Sequence, residues 1–118
     1  MASLLHLIAP SESVVERGAG VRFEAVIDGH AEPAFVVRVN GRVYAYLNKC
    51  AHVPIELDWI EGEFFDLSKS YIICATHGAY YRPDDGFCLG GPCSGQRLIP
   101  VSVVEEGGHI YWLQPTKE

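Results

Sequence analysis

The sequence contains no apolar run of the roughly 20 residues that a transmembrane helix needs, and its start lacks the basic segment of a secretory signal. Basic residues are scarce as well: nine lysines and arginines against 15 aspartates and glutamates give a net charge of −6. Nucleic-acid binding is therefore not expected, because it needs clustered cations. These absences predict a cytoplasmic protein without a membrane partner, and the negative charge suits a basic protein partner.

Helical signals are also scarce. No segment keeps the helical period of apolar residues, and the one apolar-rich candidate, residues 55–68, is interrupted by Gly62. The chain of 118 residues has no internal repeat and no low-complexity linker. Its length predicts a single domain, residues 1–118, with a modest core.

Short β-type segments separated by turn residues recur along the chain. Asn40-Gly41 suits the type I′ turn of a hairpin, and Asp85-Gly86 and Gly107-Gly108 predict two further turns. The predicted strands are residues 21–27, 34–39, 42–47, 71–74, 79–82, 87–89, 98–105 and 109–113. The pattern predicts an all-β fold of antiparallel strands.

Two short motifs each combine a thiol with an imidazole: Cys50-x-His52 and Cys74-x-x-His77, with residues 53–73 between them. A single zinc ion could take all four side chains in a tetrahedron. A [2Fe–2S] cluster could instead take both cysteines on one iron and both histidines on the other. Each motif contributes one side chain of each type, which favours the two-iron site because every iron then receives one ligand from each loop.

The segment from Asn48 to Leu98 resembles the cluster-binding part of the Rieske family. The resemblance is carried by "CAH" at 50–52, "CATHGAYY" at 74–81, the "DDG" turn and "GGP" at 90–92. In that family a glycine follows the second motif, and a Gly-Pro loop covers the cluster. The resemblance implies one [2Fe–2S] cluster per chain, held by Cys50, His52, Cys74 and His77.

The resemblance also implies a Rieske-like architecture. An antiparallel β-sandwich, which we call the base, would comprise residues 1–47 and 99–118. A smaller inserted cluster-binding lobe, the cluster lobe, would comprise residues 48–98, with an extra turn around 59–65. Tyr81 matches the position of a tyrosine that hydrogen-bonds to a cluster-ligating sulfur in high-potential members, whereas Ala79 replaces their serine donor. We therefore expect a reduction potential near the low end of the Rieske range, about −150 mV.

The function implied by the resemblance is electron transfer rather than catalysis. Four protein ligands leave no open position on either iron, so no small-molecule substrate is expected. The chain would take single electrons from a flavin-containing reductase and pass them to a terminal oxygenase or a similar enzyme. Two alternatives stay open: a small redox subunit of a larger reductase, such as a nitrite reductase, and a zinc-stabilised β-domain that acts as a binding module.

The remaining chemistry-bearing residues receive simpler interpretations. Cys88 and Cys93 could form a disulfide, but two inert thiols in a packed loop are the favoured prediction. The predicted aromatic filling of the cluster lobe, which has an exposed docking patch as its alternative, consists of Trp59, Phe64, Phe65 and Phe87. Three histidines have no partner at a ligand spacing and are interpreted as ordinary: His6, His30 and His109.

Overall fold

Antiparallel strands make up most of the computed structural model, which describes residues 3–51, 55–58, 60–74, 78–91 and 95–115. This confirms the all-β prediction. The strands are β1 (Ser3–Pro10), β2 (Val21–Ile27), β3 (His30–Val39), β4 (Arg42–Leu47), β5 (Ile72–Ile73), β6 (Tyr80–Tyr81), β7 (Cys88–Gly90), β8 (Pro100–Val101), β9 (Val103–Glu106) and β10 (His109–Pro115). A single 3-10 turn follows β1, and no helix within these ranges is long and apolar enough to span a membrane.

The strands form three antiparallel sheets, in the orders β1-β10-β9, β2-β3-β4-β8 and β5-β6-β7. The first two sheets share one apolar core, and together they are the predicted sandwich. That core contains Val14, Ala25, Ala34, Val36, Ala45, Leu47, Val101, Ile110 and Trp112. The base is therefore stabilised by burial of its own apolar side chains.

A second core lies between the other face of β3 and β4 and the small sheet β5-β6-β7. Side chains alternate along a strand, so Phe35 and Val37 face this second core while Ala34 and Val36 face the sandwich core. Phe35 stacks on Phe64 with 3.9 Å between the ring centroids. One strand therefore supports both parts of the molecule. The limits of the cluster lobe at residues 48 and 98 stay a prediction.

The hairpin between β3 and β4 forms as the local chemistry predicts. Asn40 and Gly41 have φ angles of +55° and +79°, the left-handed backbone that both central residues of a type I′ turn require. The resulting register pairs Phe35 with Tyr46, so the two aromatic side chains lie on the same face. This face is the floor of the second core.

Two features of the base differ from the sequence predictions. β1 is not predicted, because Leu4, Leu5 and Leu7 break the polar alternation that marks a half-buried strand, and all three side chains are exposed. The single strand predicted over 98–105 divides at Ser102 into β8 and β9, which belong to different sheets. A bend of this kind leaves no clear signal in the apolar pattern.

The predicted aromatic filling of the cluster lobe is correct only in part. Phe64 is fully buried and Phe65 packs against the second core. The prediction that Phe87 fills the core is wrong. Phe87 is 41% exposed, because the neighbouring Cys88 takes the inward position. Trp59 lies outside the described residues. The predicted extra turn is present at Glu61-Gly62.

Candidate metal centre

The first predicted ligand loop begins directly after β4. The Asn48 N–H donates to the Pro33 carbonyl at 2.8 Å, so the loop entrance is tied to β3. The Cys50 N–H donates to the Ile55 carbonyl, also at 2.8 Å, and so joins the two described ends of this loop. Cys50 itself is only 2% exposed. Its thiol is therefore held inside the protein by a backbone that is fixed on both sides.

The second predicted ligand loop connects β5 to β6. The Cys74 N–H donates to the Ala79 carbonyl at 2.7 Å, and the Gly78 N–H donates back to the Cys74 carbonyl at 2.8 Å. Cys74 is fully buried and belongs to the same core as Cys50. The fold thus brings both predicted cysteine ligands together, although they lie far apart in the sequence.

Two of the four predicted ligands, His52 and His77, lie outside the described residues. Within the part of the chain that the structure describes, no group of three or more metal-binding side chains is found. The ligand set therefore stays a prediction. The two cysteines that are described fit an iron–sulfur centre, because buried thiolates are soft ligands that suit such clusters.

Tyr81 is a direct neighbour of the first cysteine. Its hydroxyl oxygen lies 3.3 Å from Cys50 Sγ and accepts a hydrogen bond from the Ala51 N–H at 3.0 Å. Burial raises the pKa of Tyr81, and the contact with Cys50 raises it further, so the hydroxyl keeps its proton at neutral pH. The contact implied by the family resemblance is therefore present, and this hydroxyl can donate to a Cys50 thiolate.

A third loop packs against the second cysteine loop. Its ends are joined where the Cys88 N–H donates to the Gln96 carbonyl at 2.9 Å. At Gly91, which has a φ of +87°, an added Cβ would lie 2.8 Å from Ala79 Cα and 3.2 Å from the Gly78 carbonyl oxygen. Glycine is required there because the two backbones touch. The third loop therefore depends on close backbone contact with the loop that carries Cys74.

Gly91→Ala is expected to destabilise the protein by about 1–3 kcal/mol more than Gly108→Ala, because the added methyl overpacks the contact between the loops. Gly108 is a matched control: its φ of +82° imposes the same backbone strain, but an added Cβ would meet nothing within 4 Å. Urea unfolding of the two holo variants measures the difference. Equal losses of stability would mean that the loop contact contributes nothing.

The prediction that Cys88 is an inert thiol is wrong, because Cys88 is disulfide-bonded. Cys93 lies outside the described residues. The spacing of Cys88 and Cys93 in the sequence is compatible with either state, so the pattern alone could not decide between them.

A buried polar cluster, which the sequence analysis misses, lies beside the first ligand loop. Its members Asn48 and Asp58 are the buried polar residues of the described chain, at 3% and 2% exposure. The only sequence signal is one carboxylate between apolar neighbours in the segment 55–68. Arg22 on β2 completes the cluster with two hydrogen bonds to the Asp58 carboxylate. We call these three side chains the Asp58 hub.

Comparison with known proteins identifies the class of this centre. The sequence matches the model of the Rieske [2Fe–2S] domain over residues 6–107. Because that match covers most of the chain, the protein belongs to the Rieske [2Fe–2S] domain family. Members of this class carry one [2Fe–2S] cluster, and this chain does so too. The cluster therefore replaces the single zinc ion that the ligand spacing alone leaves open.

Solved structures agree on the fold. The ferredoxin of carbazole 1,9a-dioxygenase from Nocardioides aromaticivorans IC177 is similar at 25% identity and a TM-score of 0.72, over 95% of this chain and 98% of that one. A chain in a complex of reduced oxygenase and oxidised ferredoxin of carbazole 1,9a-dioxygenase is 24% identical, with a TM-score of 0.71 over 90% and 98% of the two chains. A longer chain in a fluorene-bound oxygenase and ferredoxin complex is 22% identical, with a TM-score of 0.75 over 97% of this chain but 30% of its own. No curated protein matches the sequence.

Proposed function

We propose that this protein is a Rieske-type ferredoxin, an electron carrier that delivers single electrons to a terminal oxygenase and is not itself a catalyst. The observation that carries the proposal is the burial of Cys50 and Cys74 in one core, within a chain that matches the Rieske domain over residues 6–107. The similar ferredoxins belong to carbazole 1,9a-dioxygenase, and two of the similar structures are complexes of an oxygenase with its ferredoxin. These neighbours support an oxygenase as the acceptor.

The proposed ligands are Cys50 and Cys74 on one iron, and His52 and His77 on the other. The bound cluster supplies a site that accepts and releases one electron at a time. With four protein ligands, neither iron would keep an open position for a substrate. The chain's own contribution is to hold both cysteines away from water, since Cys50 and Cys74 are buried, and to direct the Tyr81 hydroxyl at one of them.

The proposed electron donor is a flavin-containing reductase. A net charge of −6 favours encounter with a basic docking face on either partner, because complementary fields raise association rates. The acceptor is proposed to dock over the proposed ligands His52 and His77, since a docking site next to the ligands would give the electron its shortest path. Both partner assignments are tested by electron transfer in a reconstituted system.

The first test of the proposal is the composition and activity of the purified protein. We expect about two irons and two sulfides per chain, the content of a [2Fe–2S] centre, and a red-brown colour. A flavoprotein reductase should reduce the chain, and a Rieske oxygenase should reoxidise it and form its product in proportion to the carrier added.

One zinc without sulfide would contradict the cluster, and a reduced chain that no oxygenase reoxidises would contradict the role as carrier. Co-elution with a larger reductase on gel filtration would indicate the subunit alternative instead.

Tyr81→Phe is expected to lower the reduction potential while the cluster stays bound. The hydroxyl lies 3.3 Å from Cys50 Sγ, and a hydrogen bond to a ligating sulfur stabilises the charge that reduction adds. A hydrogen bond worth about 1 kcal/mol more in the reduced state corresponds to roughly 40 mV for one electron. Redox titration followed by visible absorption measures the shift.

Tyr46→Phe is the matched control for this variant. Tyr46 is also a buried tyrosine of the second core, but its hydroxyl donates to the Pro83 carbonyl at 2.6 Å. Its removal should reduce stability and leave the potential close to that of the wild type. A similar potential for both variants would mean that the Tyr81 hydroxyl does not act on the cluster. The wild-type contact also argues for a potential above the low end predicted from Ala79.

A further inference from the structure

Asp58 is fully buried, and its carboxylate is completely hydrogen-bonded. One oxygen, Oδ1, accepts from Arg22 Nη2 at 2.8 Å and from Asn48 Nδ2 at 2.9 Å. The other oxygen, Oδ2, accepts from Arg22 Nε at 2.8 Å and from the Gly62 N–H at 2.9 Å. The arginine contact is the bidentate fork that makes a guanidinium–carboxylate pair both strong and directional.

The carboxylate stays charged in this environment. Burial by itself would raise the pKa of Asp58, but the hydrogen bonds from Arg22, Asn48 and Gly62 outweigh burial and hold the pKa below its usual range. The Asp58 hydrogen bond in turn raises the pKa of Arg22. The hub thus contains a charged arginine and a charged aspartate, and its net charge is zero. Removing one partner would leave the other charge buried or its donors unsatisfied, and both are costly.

The hub connects the first ligand loop to the base. Asn48 lies two residues before Cys50, and its side-chain oxygen accepts from the Leu57 N–H at 2.8 Å. The same side chain donates to Asp58, so one asparagine joins the beginning of the loop to its end. Arg22 extends from β2 of the base and fixes this closed loop from outside. The segment between these contacts contains Cys50 and the proposed ligand His52.

We propose that Asp58 is a positioning residue for the iron–sulfur centre, which through Asn48 and Arg22 holds the Cys50 loop in the geometry that the cluster needs. This inference rests on the proposed function, because it requires a cluster bound at Cys50. Asp58 need not touch the cluster. It acts through the backbone that carries the ligands, as do the partners that orient metal ligands in other proteins.

The base offers a second bidentate arginine–carboxylate pair for comparison, in which the Glu105 side chain is 29% exposed. Arg38 donates to both oxygens of Glu105, at 3.0 and 2.6 Å, and also to the carbonyls of Val14 and Ser11. This pair connects β3 to β9 in the base, away from the cysteine loops. Glu105→Gln therefore weakens a bidentate pair of the same chemistry without touching the first ligand loop.

The experiment compares Asp58→Asn with Glu105→Gln in the full holo protein. Each oxygen of Asp58 accepts two donors, so either orientation of an asparagine directs its NH₂ at two of them. Three quantities are measured: the rate of iron loss to a chelator, the visible circular dichroism of the cluster, and the midpoint potential. The second and third report on the cluster that remains bound, so a general loss of stability would not change them.

For Asp58→Asn we expect iron to be lost about tenfold faster, because removal of a residue that orients metal ligands typically lowers metal affinity by about 10–100-fold. We also expect altered circular dichroism and a shifted potential. Glu105→Gln should keep the wild-type spectrum and potential. If Asp58→Asn cannot be isolated with a cluster, Arg22→Lys is tested in its place. A lysine keeps the positive charge but cannot form the bidentate hydrogen bonds to Asp58, so we expect the same changes in smaller degree.

The proposal is overturned if Asp58→Asn, or Arg22→Lys in its place, matches Glu105→Gln in all three measurements. This result is distinct from failure of the proposed function. A wild-type chain without iron and sulfide would end the assignment as a ferredoxin. A wild-type chain with its cluster and an unaffected Asp58 variant would end only the positioning role.

Discussion

Cys74→Ser is expected to abolish cluster binding, with loss of iron, sulfide and visible absorption from the purified protein. Serine offers a hard oxygen in place of a soft thiolate, and iron–sulfur clusters need the thiolate. Cys74 is fully buried in the second core, so water cannot reach the site easily and replace the lost ligand. Removal of Cys50, which is equally enclosed, should have the same effect.

The proposed histidine ligands are tested in the same way, with His109 as the control. His52→Ala or His77→Ala should also lose the cluster, whereas His109→Gln should keep it, because His109 lies at the start of β10 and its ring contacts the Gly107 carbonyl and Tyr111. Iron and sulfide analysis of all the variants completes the comparison. Full iron content in Cys74→Ser would show that Cys74 is not a ligand.

Removal of the cluster is expected to unfold the predicted cluster lobe, residues 48–98, while the base stays folded. The sheet β5-β6-β7 consists of strands of only two or three residues, and metal binding to such loops is coupled to their folding. The base has strands of up to ten residues and its own core. Much of the order in the lobe therefore depends on the ligands being drawn to one centre.

Hydrogen exchange of the apo and holo proteins measures this effect. Amides of the cluster lobe, such as those of Ile73, Cys74 and Arg82, donate to backbone carbonyls in the folded structure and should lose protection by orders of magnitude when the cluster is removed. The amides of Val36 and Trp112 in the base should keep most of theirs. Equal protection in both regions would mean that the lobe folds without its cluster.

Local chemistry accounts for what could be predicted from the sequence. Asn40 and Gly41 favour the turn that they form. The spacing of cysteine and histidine in the sequence indicates the two predicted ligand loops. Contacts between distant segments could not be predicted in the same way. Polar and apolar residues alternate in β2 and Arg22 lies on its exposed side, but this pattern does not indicate that the guanidinium reaches back to Asp58.

The missed elements have a similar cause. β1 carries leucines on its exposed side as well, so it lacks the alternation of polar and apolar residues that marks a strand in a sequence. Its pairing with β10 shows that it is a strand. Whether Cys88 is a thiol or half of a disulfide depends on the folded positions of loop residues, and the spacing in the sequence does not determine them. Propensity and motif describe neighbours in the chain, whereas these features depend on neighbours in space.

The two faces of β3 have a practical consequence for protein engineering. Phe35 and Val37 are part of the floor of the second core, while Ala34 and Val36 belong to the sandwich. A chimera that receives only residues 48–98 from another ferredoxin would therefore place a foreign lobe on an unmatched floor. A graft that also transfers residues 22, 35, 37, 44 and 46 takes with it the side chains of the base that contact the second core and the Asp58 hub. The even-numbered positions 34 and 36 can be redesigned for stability without altering the surface on which the electron-carrying part rests.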